Sequence, residues 1–169
     1  DRTSHPMKAV GDGNWEIMIP GVRTLRHRSK VKVAVTSARG TEDRIPLYAT
    51  YVVQDEKTHN FSAAIWNPRK EFEWTDGKFR PKKNVPPLIY EAHVGMATEE
   101  ERVGTYLEFM RDILPRIKKD GYNTVQLMAI MEHPYYASFG YQVSNFFAAS
   151  SWYGTPDDLK ALINEAHAM

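Results

Sequence analysis

From Leu88 onward the chain changes period in a fixed order, and that order constrains the fold most. "LIYEAHV" (Leu88–Val94) reads as a short strand. "TYLEFMRDILPRIKK" (Thr105–Lys119) reads as a helix, with Leu107, Met110, Leu114 and Ile117 in one apolar stripe at steps of three and four. Thr105 and Glu108 have capping-box spacing. Pro115 predicts a kink, and Asp120-Gly121 a stop with glycine as the left-handed cap. "TVQLMAIM" (Thr124–Met131) is nearly all apolar, as expected of a parallel strand covered on both faces. Thr155 then predicts the cap of a second helix, with Pro156 at its first position and Asp157 and Asp158 on the positive end of the dipole. Leu159, Leu162, Ile163 and Ala166 form its stripe. Strand, helix, strand, helix predicts two parallel β/α units.

Upstream the pattern is different. "NWEIMIP" (Asn14–Pro20) follows an Asp12-Gly13 turn signal. "KVKVAVT" (Lys30–Thr36) places Val31, Val33 and Val35 on one face of a half-buried strand. "ARGTEDR" reads as a turn cluster and "PLYATYVVQ" (Pro46–Gln54) as another strand. Short strands at this spacing suggest a β-sandwich, yet too few of them to close one. From Trp66 to Pro87 the chain is rich in Pro, Lys and Arg without a period, which predicts a linker with a solvated "RPKK" stretch. The expected division is therefore residues 1–66, a linker over 67–87, and 88–169. The chain opens on Asp1 and closes on Met169 inside a helical pattern, so it reads as a piece of something larger.

Composition excludes several classes. The net charge of +1 gives no electrostatic case for nucleic acid or an anionic membrane. Cysteine is absent, which excludes disulfides and thiolate metal sites. No apolar run is long enough to span a bilayer. The segment Glu132–Gly154 has neither helical period nor alternation, yet is crowded with Tyr, Phe and Trp. Such a loop is either packed against something or a platform for a ligand with flat apolar faces. Glu91, His93, Glu132 and His133 could be combined into a metal site, but these separate strand ends guarantee no convergent geometry. They read as hydrogen-bonded strand-end residues, with His133-Pro134 shaping the loop.

"LIYEAHVGM", "GTYLEFMRDILPRIKKDGYNTVQLMAIMEHPYYASFGYQV" and "FFAASSWYGTPDDLKALINEAHAM" resemble the start of the catalytic barrel of glycogen and starch branching enzymes, in the α-amylase superfamily. "NWEIMIPG", "HRSKVKVAVTS" and "YATYVVQDE" resemble the end of that family's immunoglobulin-like glucan-binding module. The resemblance implies a mixed fold: a partial immunoglobulin-like β-sandwich, then the first two β/α units of a (β/α)₈ barrel. In such a barrel the loop after a strand lies on the active-site face.

The implied reaction is a glycosyltransferase-type one, a retaining transglycosylation. A carboxylate attacks an α-1,4 bond and a 6-hydroxyl takes the chain, giving an α-1,6 branch. The family's nucleophile and acid are expected beyond residue 169, so no catalytic residue is nominated and the chain alone is expected to be inactive. Tyr141 of "SFGYQ" matches the family's sugar-stacking aromatic. Asn145, Phe146 and Phe147 lie where the family loop also approaches glucan, with packing as the competing role of the two phenylalanines. Trp152 stands where the family usually has Arg, and offers one N–H in place of five. No metal or other cofactor is implied. The expected partner is an α-1,4-glucan, with no nucleic acid and no membrane, in the cytoplasm. Self-association through an exposed strand edge is expected. Two other readings compete. One is a stand-alone carbohydrate-binding module, opposed by the incomplete sandwich. The other is a debranching or amylase sibling, opposed by "YYASFGYQV".

Overall fold

The computed structural model describes residues 2–21 and 24–169; Asp1, on which the chain opens, lies outside them. The first part is antiparallel. β1 (Lys8–Gly11) and β2 (Asn14–Glu16) form a hairpin, with Gly11, Asp12 and Gly13 all at positive φ in its turn. The "KVKVAVT" strand divides into β3 (Lys30–Val31) and β4 (Val33–Ser37). β4 pairs with β5 (Gly40–Arg44), so most of the expected turn cluster is strand and only the Ser37–Gly40 corner turns. β5 is exposed throughout and therefore carries no apolar alternation to announce it. The outer half of the "PLYATYVVQ" segment turns at Pro46, where the Ala49 amide donates to the Pro46 carbonyl at 3.0 Å. The strand of this segment is β6 (Val52–Gln54), preceded by an isolated bridge at Tyr51. It joins β7 (Phe61–Ala64) and β3 in an antiparallel sheet of order β3-β7-β6. Tyr51, Val52, Ala63 and Ala64 are its buried side chains.

The second part is parallel, as its order predicts. β8 (Ile89–His93) pairs in parallel with β9 (Thr124–Met128), from Ile89 opposite Thr124 to His93 opposite Met128. Only one face of this pair is covered. Ala92, Val125 and Leu127 pack on the core, while Ile89, Glu91, Thr124 and Gln126 on the opposite face are exposed, so the expectation of a strand covered on both faces does not hold in this chain.

The helix between them starts as expected. The Glu108 amide donates to Thr105 Oγ1 at 3.2 Å and the Thr105 amide to Glu108 Oε2 at 2.9 Å. Pro115 changes its course. It has no N–H for the Arg111 carbonyl, and its ring crowds that carbonyl. The chain absorbs this as a π-helical turn, Phe109–Ile113, between α1 (Tyr106–Glu108) and α2 (Leu114–Lys119), with the Leu114 amide reaching back to the Phe109 carbonyl. The extra residue shifts the phase of the buried stripe. Tyr106, Phe109, Leu114 and Ile117 are buried, whereas Leu107 is exposed. Gly121, at φ 90, closes the helix as expected.

β10 (Met131–Glu132) and β11 (Asn145–Ala149) form an antiparallel pair inside the aromatic segment, which is therefore not one continuous loop. α3 (Pro156–Ala168) carries the second capping box, between Thr155 and Asp158. Leu162 of α3 joins Ala92, Val94, Tyr106, Phe109, Leu114, Ile117 and Tyr153 in one core.

The uncovered face and edges of the β8–β9 pair generate an expectation for this chain in solution. Two parallel strands with unpaired backbone and apolar side chains offer a template for another copy. Sedimentation of the isolated chain is expected to show self-association that grows with concentration. A single monomer boundary across a wide concentration range would count against it.

Candidate functional site

The aromatic segment begins where β9 ends. Ala129 takes φ 59 and turns the chain, and the Ile130 carbonyl accepts the Ser150 amide at 2.8 Å. Glu132 follows, fully buried. Its carboxylate accepts the Ser151 amide at 2.7 Å and the Ser151 hydroxyl at 3.2 Å. Burial raises its pKa to about 7, against the pull of those Ser151 bonds. His133 is also fully buried, with Nδ1 2.9 Å from the Met131 carbonyl oxygen. Trp152 donates its single N–H to the His133 carbonyl at 2.8 Å and lies 5.5 Å from the Tyr136 ring. The residue at the expected Arg position thus works as a clamp on the loop.

Past His133 the chain makes a 3₁₀ turn, Tyr136–Ser138, with Phe139 at φ 52 and Gly140 at φ 82. A Cβ on Gly140 would lie 2.4 Å from the Ala129 Cβ, so only glycine lets the loop cross the end of β9 this closely. The Tyr141 amide donates to the Ser138 carbonyl at 3.0 Å. His93, the last residue of β8, meets Tyr136 and Phe139 edge-on, each at 6.0 Å between ring centroids.

The nominated site residues separate into two groups. Tyr141 is 81% exposed, Phe146 62% and Phe147 54%, so their rings are open. Asn145 is 5% exposed and sits opposite Glu132 in the β10–β11 pair, which removes it from that surface in this chain. Phe147 also touches Tyr48, an exposed ring from the first part of the chain, at 4.9 Å. Tyr48 carried no sequence signal, because the contact joins residues about a hundred positions apart. Glu91 accepts from Gln126 Nε2 at 3.2 Å, and Glu132 is occupied by Ser151. Among the described residues no three His, Asp or Glu side chains are placed to hold a metal ion, and no helix is long and apolar enough to cross a membrane.

No family model matches the chain. Curated relatives do, from end to end. The chain is 49% identical to a 1,4-alpha-glucan-branching enzyme of Rhizophagus irregularis and 50% identical to one of Aspergillus oryzae, covering 100% of itself and 25% of each. A 1,4-alpha-glucan-branching enzyme of Solanum tuberosum is 46% identical over 99% of the chain and 20% of the relative. By sequence the chain matches a part of 1,4-alpha-glucan-branching enzymes along its own whole length. It spans about a quarter of the length of these branching enzymes. In structure it matches a candidate alpha amylase of Salmonella typhimurium with a TM-score of 0.72, over 96% of this chain and 25% of that one, at 24% identity. The two chains share a fold over those residues.

Glu132 gives the site a pH dependence. Its folded-state pKa lies above the ordinary 4.5, so its contribution to stability is complete below that value and is lost as pH rises through about 7. At roughly 1.4 kcal/mol per unit, the loss is on the order of 3 kcal/mol. Urea midpoints of this chain are expected to fall between about pH 4.5 and 7 and then level off. Glu132→Gln keeps the shape without the ionisation and is expected to flatten that slope. An equally steep slope in the variant would assign it to another group.

Proposed function

We propose that this chain is part of a 1,4-α-glucan branching enzyme. The parent protein would cleave an α-1,4 bond and transfer the released chain to a 6-hydroxyl. The observation that carries this reading is the sequence match along the whole chain. Within it, residues 1–66 are assigned to the end of an immunoglobulin-like carbohydrate-binding module, 67–87 to a connector, and 88–169 to the first two β/α units of a (β/α)₈ barrel. The parallel β8–β9 pair with its crossover helix supports the barrel assignment, and the antiparallel β1–β7 region is compatible with the module.

In this reading the nucleophile and acid lie on parts of the parent protein outside residues 1–169. This chain supplies substrate contacts. Tyr141 offers an open ring face to the C–H patches of a glucose ring. Phe146 and Phe147 extend the aromatic surface on β11, while Asn145 is buried opposite Glu132 and lies outside that surface. The substrate is an α-1,4-glucan such as glycogen or starch, and the setting is the cytoplasm.

Two measurements test the reading. The isolated chain is expected to leave the iodine spectrum of amylose unchanged, and a clear change would refute the assignment of the chemistry elsewhere. In the full-length protein, Tyr141→Ala is expected to lower kcat/KM by at least about tenfold, which is roughly 1.4 kcal/mol of transition-state stabilisation. Tyr141→Phe keeps the ring face and is expected to keep most of the activity. Because the ring is exposed, the melting temperature should hardly move. A normal kcat/KM per folded molecule, with a melting temperature lowered by several degrees, would make Tyr141 a packing residue instead.

A further inference from the structure

The turn that carries Tyr141 is bonded to itself. The Ser138 hydroxyl donates to the Tyr135 carbonyl at 2.7 Å, the Phe139 amide to the Tyr136 carbonyl at 3.0 Å, and the Tyr141 amide to the Ser138 carbonyl at 3.0 Å. A segment tied in this way keeps its shape, so the direction in which Tyr141 faces is set by what holds the whole turn to the rest of the chain.

At the far end of the loop, the Ser144 amide and hydroxyl both donate to the Glu132 carbonyl, at 2.9 and 3.2 Å, and close its base. At the near end the tie is Trp152. Its indole N–H reaches the His133 carbonyl at 2.8 Å, and the same ring lies 5.5 Å from the Tyr136 ring, inclined at 51°. One side chain thus holds two points, one just before the turn and one at its first residue. The residues on either side of Trp152 are themselves fixed. Ser151 gives its amide and hydroxyl to the Glu132 carboxylate, and Tyr153 is fully buried.

Indole chemistry suits this double task. Trp has one donor and no acceptor, and the donor sits on the edge of a flat ring. A single orientation therefore serves both contacts, and with two torsions the side chain loses little freedom in adopting it. His133 is fully buried, so its carbonyl would be penalised if that donor were taken away.

We propose that Trp152 is a positioning residue that sets the orientation of the Tyr141-bearing turn, through its N–H on His133 and its ring on Tyr136. It acts through these two residues and need not touch a sugar. The consequence for glucan rests on the proposed function; the hold on the turn does not.

The tests use the full-length protein. Trp152→Phe keeps a ring for Tyr136 and removes the N–H. Hydrogen exchange of the Phe139, Tyr141 and Gln142 amides is expected to speed up at least about tenfold, with α3 amides unchanged. Trp152→Arg returns a donor and is expected to recover part of that protection. Unchanged exchange in Trp152→Phe, or a Trp152→Arg protein no better protected than it, would overturn the proposal. A crystal structure of the unsubstituted protein decides independently of how the variants fold. Trp152 Nε1 should lie within about 3.2 Å of the His133 carbonyl oxygen, and an indole turned away overturns the proposal. Kinetics locate the effect. Trp152→Phe is expected to lower kcat/KM about threefold to tenfold, and to add little to the loss in a Tyr141→Ala background, because residues that act as one unit are not additive. Equal losses in both backgrounds would make Trp152 a merely structural residue and overturn its positioning role. If Tyr141→Ala alone leaves kcat/KM normal, the stacking reading fails, while faster exchange in Trp152→Phe still supports the hold on the turn.

Discussion

The β/α part of the chain closes on Tyr153. Its carbonyl accepts the Tyr106 amide at 2.9 Å, and the two rings meet edge-on at 5.5 Å, so the residues before α3 fix where α1 begins. A Cβ on Gly95 would come within 2.6 Å of the Tyr153 ring, which is why the backbone just past β8 can lie against it. Burial raises the Tyr153 pKa well above the ordinary phenol range. The ring contributes on the order of 2 kcal/mol by leaving water. Its larger role is geometric: the turn after β8, the start of α1, His133 and the entry to α3 share it as a common wall.

A second set of contacts makes the connector a strap. Trp66 donates its indole N–H to Asp157 at 3.0 Å, the Thr75 amide donates to Asn164 Oδ1 at 2.8 Å, and Lys160 lies 5.9 Å from the Phe72 ring centre. Phe79 stacks on His167 at 4.1 Å, and Asp76 sits 2.6 Å from His167 Nδ1. Each of these is a modest interaction at the surface. Together they run the length of α3 and hold an irregular chain to one helix face. The two parts also touch directly, through a bridge between Tyr51 and Ala149 and the 3.3 Å bond from the Ala149 amide to the Thr50 carbonyl. Residues 67–87 therefore have no regular structure but do have fixed neighbours.

What the sequence made legible was local. The Thr105–Glu108 capping box, the Thr155 cap, the Gly121 stop and the parallel pairing of β8 with β9 follow from residue types at short spacing. The misreadings arise where tertiary contacts decide. Leu107 fits an ideal helical stripe, but the π turn forced ahead of Pro115 moves the buried face to Tyr106 and Phe109. β5 is solvent-exposed on both faces and has no pattern to read. The β10–β11 pair hides in an aromatic run because its two strands are short and mismatched by a bulge. Asn145 and its neighbours Phe146 and Phe147 looked alike in sequence. Only the pairing of β10 with β11 shows that the amide is inside and the rings outside. Tyr48 reaches Phe147 across long sequence separation, which no local pattern encodes.

The exposed ring of Tyr141 has two physical explanations, and the backbone beneath it is compatible with the stacking role proposed for it. A side chain left over from incomplete packing would be expected on a loop with latitude to relax. The loop here has little. Ala129 and Phe139 both take left-handed conformations that cost non-glycine residues free energy. Gly140 crosses the end of β9 with no room for a Cβ. Trp152 clamps His133 on one side, Ser138 binds the Tyr141 amide on the other, and His93 wedges Tyr136 and Phe139 from below. A strained and tightly held backbone that presents a free aromatic face is the arrangement a stacking contact needs. The ordering entropy is met during folding, and little of it is left to oppose ligand binding.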